Sequence, residues 1–279
     1  MRCFALASIL SITLFSTFAN LAQAQESIFP DKNLEKVVRQ YVFEKRNNDQ
    51  PLVEKDVETI STIVGKKKGI TNLAGLEKCK SLALLDLEEN EITDIAAIKD
   101  LKQIQSLNLA KNKIADIAPV AELKALQYLE LTGNQVKELA PLAKLENMRS
   151  LYLSKNQIEN LAPIATLTKL WSLYLDGNKI TNLDPIAALK KIETLDLSEN
   201  QIANLAPLAG LTEFDFLLLG KNQITDLGVL VDMCKKDLEG KKRFAPFVRL
   251  YLEGNPLSDA GKAQVEELKK LGVRVDPKP

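Results

Sequence analysis

The 279-residue chain is 46% hydrophobic and 27% charged but only 5% aromatic, the balance of a folded soluble protein whose core must be aliphatic. Lys and Arg number 37, as do Asp and Glu, so no net field draws nucleic acid or anionic lipid. There is no histidine, which removes Ser-His-Asp and Cys-His nucleophile systems, histidine-liganded metals and the commonest general base near neutral pH.

The N-terminus reads as a secretory signal, residues 1–24. Arg2 supplies a positive start, an apolar run follows from Phe4 to Phe18, and Ala22-Gln23-Ala24 fits a small-x-small cleavage site. The run is short of the roughly 20 residues a membrane span needs, and no second such stretch follows. Export to the periplasm or medium is the expectation. An uncleaved anchor is the alternative.

A helical N-terminal cap is expected over 25–60. Asp31 can cap a helix whose apolar positions Leu34, Val37, Val38, Tyr41 and Val42 keep helical spacing, and Val53 to Ile60 reads as a second short helix.

From there a fixed period dominates. Asn90, Asn112, Asn134, Asn156, Asn178, Asn200 and Asn222 recur at one constant interval, and Asn255 follows one and a half intervals later. Each closes a Leu-x-Leu-x-x-Asn frame, from Leu85-x-Leu87 to Leu250-x-Leu252. An aliphatic comes two residues after each asparagine, and Pro119, Pro141, Pro163, Pro185 and Pro207 keep the same register. In Leu-x-Leu both leucines point to one side of a strand. One strand cannot bury that face alone, but stacked copies form a parallel sheet over a continuous aliphatic column. The asparagines turn inward and form a structural ladder, because an amide both donates and accepts. The prolines lack an N–H and belong in turns on the back of the coil. The solenoid is expected over 61–257, with no asparagine one period before Asn90, where Lys68 stands.

An insertion of about residues 228–243 can hold a helix near Leu227–Leu238, followed by the basic stretch Lys241-Lys242-Arg243, expected as a solvated loop. A C-terminal cap and tail, 258–279, begins with Ser258 capping a helix through Leu271, with Val265, Leu268 and Leu271 facing in. Gly272 ends that helix and Val273-Arg274-Val275 makes an edge strand. Cys79 and Cys234 are separated by six strand steps of about 4.8 Å, far beyond the roughly 7 Å a disulfide spans, so no bridge is expected.

The frame Leu-x-x-Leu-x-Leu-x-x-Asn-x-Ile at 22-residue steps resembles the bacterial internalin-type leucine-rich repeats. Ile28-Phe29-Pro30-Asp31-x-x-Leu34 resembles the helical cap ahead of such arrays, and Gly69-Ile70-Thr71-Asn72-Leu73-x-Gly75-Leu76 the cap-to-repeat junction. The resemblance covers about residues 28–257. It implies an α/β repeat solenoid, a right-handed curved array with the parallel β-sheet on its concave face, and binding of a protein partner there. No immunoglobulin-like module or wall anchor accompanies the repeats, so a host-invasion role is not carried over. A cytosolic phosphatase regulator with 22-residue repeats is similar in period, but the signal segment points elsewhere.

Two outward columns pave that face. One runs Leu84, Ser106, Tyr128, Ser150, Ser172, Thr194, Phe216, Arg249, and the other Asp86, Asn108, Glu130, Tyr152, Tyr174, Asp196, Leu218, Tyr251. Four of the five tyrosines fall in these columns, as an interface favours, although tyrosine is also a good strand-surface residue. The candidate partner-binding residues are Tyr128, Glu130, Tyr152, Tyr174, Asp176, Asp196, Phe216, Leu218, Arg249 and Tyr251. Trp171 sits one residue off the columns, facing core or rim, and Asp86, Glu88 and Glu89 read as a solvated edge. The alternatives are a glycan or envelope-polymer binder and a hydrolase using an Asp176–Asp196 carboxylate pair. No catalytic residues, metal or cofactor are expected, and the chain is read as a monomer.

Overall fold

The computed structural model describes residues 26–240 and 242–276. The expected signal segment with its cleavage site, Lys241 and the last three residues lie outside the described residues.

The chain is an α/β repeat solenoid built on one parallel sheet of ten strands in strict chain order. The strands are β1 Thr62–Val64, β2 Leu84–Asp86, β3 Ser106–Asn108, β4 Tyr128–Glu130, β5 Ser150–Tyr152, β6 Ser172–Tyr174, β7 Thr194–Asp196, β8 Phe216–Leu218, β9 Arg249–Tyr251 and β10 Arg274–Val275. Neighbouring strands between β2 and β8 pair one period apart, Leu85 with Leu107, Leu107 with Leu129 and so along to Leu195 with Leu217. Helix α1 spans Lys32–Arg39 and α2 Glu54–Val57, ahead of the sheet or beside its first strand; α3 spans Gly228–Glu239 and α4 Asp259–Lys270.

The period reaches further than Leu-x-Leu. In the coil that starts at Leu107, residues 107, 109, 114, 117, 120, 123 and 126 are all buried and apolar, and the same offsets recur in each full coil through Phe214. Seven stacked columns therefore share one interior. Each fully buried aliphatic side chain contributes about 1.5–3 kcal/mol before entropy is subtracted. The back of each coil is a 3-10 turn; the five prolines sit in its first two positions, where a missing N–H loses no bond.

The asparagines satisfy the one polar demand inside this core. Asn156 is typical: its Nδ2 donates to Leu131 O and Leu153 O, both at 3.0 Å, and its Oδ1 accepts from Val136 N at 2.9 Å. Each side chain thus bridges its own strand end to the preceding coil. Asn255 keeps the pattern across the insertion, donating to Leu219 O at 2.9 Å and accepting from Ile224 N at 3.2 Å.

A second polar column was not read from the sequence. Asn72, Asp94, Asp116, Asn160, Asn182, Asn204 and Asp226 each accept, through Oδ1, the N–H two residues on at 2.8–2.9 Å, closing the entry to the back turn. Glu138 occupies this column in the one remaining coil and makes no such bond; its side chain is one methylene too long for the turn.

The array also begins one coil earlier than the asparagine spacing suggests. Strand β1 pairs Ile63 with Leu85. Ile63, Ile70, Leu73, Leu76, Cys79 and Leu82 fill the core offsets of a degenerate coil. Gly65 stands at the second leucine's offset because Val37 of α1 occupies that space: a Cβ there would lie 2.9 Å from Val37 Cγ1. Asn90 accepts from Lys68 N and Ile70 N, both at 3.0 Å, as each ladder asparagine serves the coil before it; Lys68 itself, in the first coil, has no earlier coil to bridge.

Asp31 ties α1 to that coil. Its Oδ1 accepts from Asn33 N and Leu34 N at the helix start, while its Oδ2 accepts from Thr71 N at 2.8 Å and Asn72 N at 3.0 Å. Burial opposes ionisation here, but the Thr71, Leu34 and Asn72 bonds outweigh it and lower the carboxyl's pKa. The helix ends at Arg39, so Tyr41 is not a helical core position as expected; it is 40% exposed, and its hydroxyl accepts from Val64 N at 2.9 Å, blunting the free edge of β1. The second helix is a single turn, shorter than the expected 53–60, because the chain must extend again by Thr62 to join the sheet.

The insertion leaves the sheet undisturbed: β8 pairs β9 directly, Leu217 with Leu250. Helix α3 replaces a 3-10 turn, and the buried Asp237 at its end accepts from Arg243 N, Phe244 N and Ala245 N at 2.9–3.1 Å. The basic stretch is therefore partly held: Arg243 pairs with Glu213 at 2.5 Å. Ser258 caps α4 by accepting from Gly261 N at 3.0 Å, Leu268 is fully buried, and β10 closes the sheet beside β9. Cys79 and Cys234 are unbonded and buried, and burial pushes both thiols up to about 12, leaving them unreactive. Among the described residues no helix is long and apolar enough to cross a membrane.

Two substitutions test the polar columns. Asn156→Ala strands buried backbone groups and lowers stability by about 1–3 kcal/mol, measured as a lower urea midpoint. Glu138→Asp supplies the missing turn acceptor and raises the melting temperature, by roughly 1–3 °C for a gain of about 0.5–1 kcal/mol.

Candidate functional site

Alternation dictates what the open face of the sheet presents. With Leu129, Leu151 and Leu173 buried, their neighbours must point away from the core. Register then sets side by side what the sequence holds a full period apart: Tyr152 pairs with Tyr174, and Tyr128 lies one strand before them. The Tyr152 and Tyr174 rings are stacked, with centroids 4.7 Å apart and planes 12° from parallel. Tyr128 leans on Tyr152 at 5.3 Å and 45°. All three are half-buried. Burial pushes the Tyr128 hydroxyl up to about 12, with the Glu130 charge adding to it, and raises Tyr152 and Tyr174 too.

Carboxylates bracket the stack. Glu130 pairs in register with Tyr152 and Asp196 with Tyr174. Burial raises the Glu130 carboxyl against the bonds it accepts from Thr132. Burial likewise holds Asp196 above its ordinary 3.8; the Ser198 bonds oppose this, and the like charges of Asp176 and Glu199 reinforce it. Asp176 lies just past β6 and accepts a hydrogen bond from the buried Ser154 hydroxyl. No Lys or Arg nitrogen of the described residues comes within 4.0 Å of Glu130, Asp176 or Asp196. Among the described residues no cluster of three acidic or sulfur side chains could hold a metal ion.

The remaining candidates form a second group two strands further on. Arg249 lies over the Phe216 ring at 4.9 Å, and Leu218 pairs with Tyr251. Sequence reasoning missed a rim pair: Trp171 is 44% exposed, and the Arg149 guanidinium sits 5.2 Å from its ring centre. Trp171 is therefore rim, not core. Both residues stand two before the first core leucine of their strands, a third column at the same period.

Asp86, Glu88 and Glu89 are not the solvated edge that the sequence suggests. Lys66 bridges Asp86 at 3.0 Å and Glu88 at 2.9 Å, while Glu89 is held by Lys67 at 2.7 Å and Lys111 at 2.5 Å. The cations come from neighbouring coils at the same offsets, so stacking itself brings the charges together.

The coil length, the asparagine ladder and the parallel sheet define a leucine-rich-repeat protein. The family model described as Leucine Rich repeats (2 copies) matches residues 102–144, 124–169, 146–187 and 168–210. Internalin C2 from Listeria monocytogenes is similar in structure, 27% identical with a TM-score of 0.61, over 89% of this chain and 93% of that one. The functional domain of InlJ from the same organism shares the fold at 22% identity and a TM-score of 0.68, over 88% of this chain and 55% of that one. So does the ectodomain of the plant membrane receptor kinase GASSHO1 from Arabidopsis thaliana, in complex with Casparian strip integrity factor 2, at 23% identity and a TM-score of 0.57, over 68% of this chain and 26% of that one. Comparison with curated protein sequences finds no match. The chain has the leucine-rich-repeat fold, and in repeat and structure it is similar to internalin-type proteins.

The raised carboxyl gives a pH test. Asp196 binds its proton more tightly folded than unfolded, so ionisation favours unfolding; the cost is absent below about pH 3.8 and complete once pH passes the raised folded value. Asp196→Asn removes it. The variant should melt higher than the parent near neutral pH, and the two curves should converge near pH 3.

Proposed function

We propose that this chain is an exported binding protein that captures a protein partner on the open, concave face of its sheet. The tyrosine triad carries the reading. Three large rings lie in a row across β4, β5 and β6, each in contact with the next, at positions the core does not need. Tyrosine offers broad contact area at low entropic cost and a polar tip, which suits a partner surface. The Phe216–Arg249 and Arg149–Trp171 pairs extend the aromatic area along the sheet and to its rim. The complexed GASSHO1 ectodomain is consistent with a fold that presents such a surface. Export rests on Arg2, the apolar run Phe4–Phe18 and Ala22-Gln23-Ala24. Helices α1 and α2 at one end and α4 at the other act as caps that cover the end coils.

The test is capture of partners from envelope extract and host lysate by the mature chain and by Tyr152→Ala/Tyr174→Ala. Removing the stack should cost only about 0.5–1.5 kcal/mol of stability but at least roughly 2 kcal/mol of binding, a loss of about 30-fold. Undiminished capture by a folded double variant overturns the site. Tyrosine-dependent binding on a glycan array, with no protein captured, reassigns the face to sugars.

A further inference from the structure

The open face has a notch beside the tyrosine stack. Along the middle column, β6, β7 and β8 present Tyr174, Asp196 and Leu218; along the adjacent one they present Ser172, Thr194 and Phe216. Strand β7 thus carries Thr194 and Asp196 between two taller rings, Tyr174 on one side and Phe216 diagonally across on the other. The strands that carry Tyr174 and Phe216 are two steps apart, about 10 Å. A flat group stacks on a ring at about 3.5–4 Å, so the interval admits one planar side chain between these walls. One face of the Tyr174 ring is taken by Tyr152, at 4.7 Å on the β5 side. The other is turned toward β7, where Asp196 is close enough for its charge to bear on the Tyr174 hydroxyl.

The floor of this notch lacks a counter-charge. At the first coils Lys66, Lys67 and Lys111 neutralise Asp86, Glu88 and Glu89, and at the notch's edge Glu199 is paired with Lys221 at 2.6 Å. Asp196 and Asp176 have no such partner among the described residues, although the chain supplies 37 cationic side chains. Asp196 accepts from Ser198 N on Oδ1 at 2.9 Å, and a carboxylate, with about four acceptor sites, keeps capacity for a donor from outside. A half-buried carboxylate, a second carboxylate beside it and a free aromatic face together complement a flat cation. Guanidinium fits better than ammonium, because it can donate two parallel bonds to a carboxylate while stacking on a ring.

We propose that the notch over β7 receives an arginine side chain of the bound partner, with Asp196 and Asp176 holding the guanidinium and Tyr174 stacking on it. This rests on the reading of the open face as the partner surface, and it names the chemistry the partner must display.

The probes are acetyl-Gly-Arg-Gly-amide, its norleucine and glutamate counterparts and calcium chloride, each titrated into the intact chain while the Tyr174 ring and Asp196 carboxyl signals are followed by NMR. The arginine peptide should shift both signals and bind roughly fivefold or more tighter than the norleucine peptide, an advantage that falls with added salt and disappears in Asp196→Asn. Equal binding of the arginine and norleucine peptides overturns the proposal. So does unchanged arginine binding by a folded Asp196→Asn, or calcium displacing the peptide as the tighter ligand. In the capture assay, loss with the tyrosine double variant but full capture by Asp196→Asn removes the arginine notch and leaves the partner surface standing. Full capture by both variants removes both.

Discussion

Everything in this molecule depends on how the buried backbone at the end of each strand finds hydrogen-bond partners. A coil whose apolar side chains all turn inward could slide or fray, because aliphatic contacts carry no direction. Each ladder asparagine supplies the direction. It donates to carbonyls of two successive coils and accepts from an inward amide, so a coil one residue too long or too short would leave several buried groups without partners. The ladder therefore converts non-specific burial into one register, and that register aligns the outward columns. Lys68 stands in the first coil, which has no earlier coil to bridge, and beyond the insertion Asn255 resumes the ladder. The insertion could grow a helix on the back because its ends remain fastened at the ladder.

Alignment has opposite consequences at different points of the open face. At the first coils it stacks lysines against carboxylates and closes an ion network beside the free edge of β1, where Tyr41 also caps the strand. Such an edge would otherwise invite another chain's strand. Over β4 to β7 it does the reverse, collecting three tyrosines and three carboxylates with no ion pair among the described residues. Raised carboxyls there mean that the folded chain works against their ionisation. A protein tuned only for stability would place lysines at this point, as it does two coils earlier. Local cost at one patch, amid an array that satisfies its other polar groups, fits a surface whose balance a partner completes.

Repetition also separates what is exchangeable from what is not. The back turns tolerate alanine, proline or an entire helix, since they need only return the chain to the next strand. Their entry is held by short Asn or Asp acceptors, and Glu138 shows that a misfit there is tolerated. The outward strand positions are free of packing constraint and vary from coil to coil, so recognition can reside there without disturbing the core.

The linear chain determined the solenoid, because a constant period in leucine, asparagine and proline leaves stacked coils as the arrangement that buries the leucines together. It also determined which side chains line the open face, since two-residue alternation beside Leu129, Leu151 and Leu173 allows no other assignment. It set the solenoid's start at residue 61 but did not explain the first coil, which lacks the asparagine and a second leucine; only contact with Val37 explains Gly65. Nor did it show that Asp86, Glu88 and Glu89 are neutralised while Asp176 and Asp196 are not, or that Trp171 lies at the rim. Those properties depend on distances between side chains on different coils. Periodicity gives the order in which coils meet, but the rotamers that bring a lysine to a carboxylate, or one ring flat against another, are settled by packing in three dimensions.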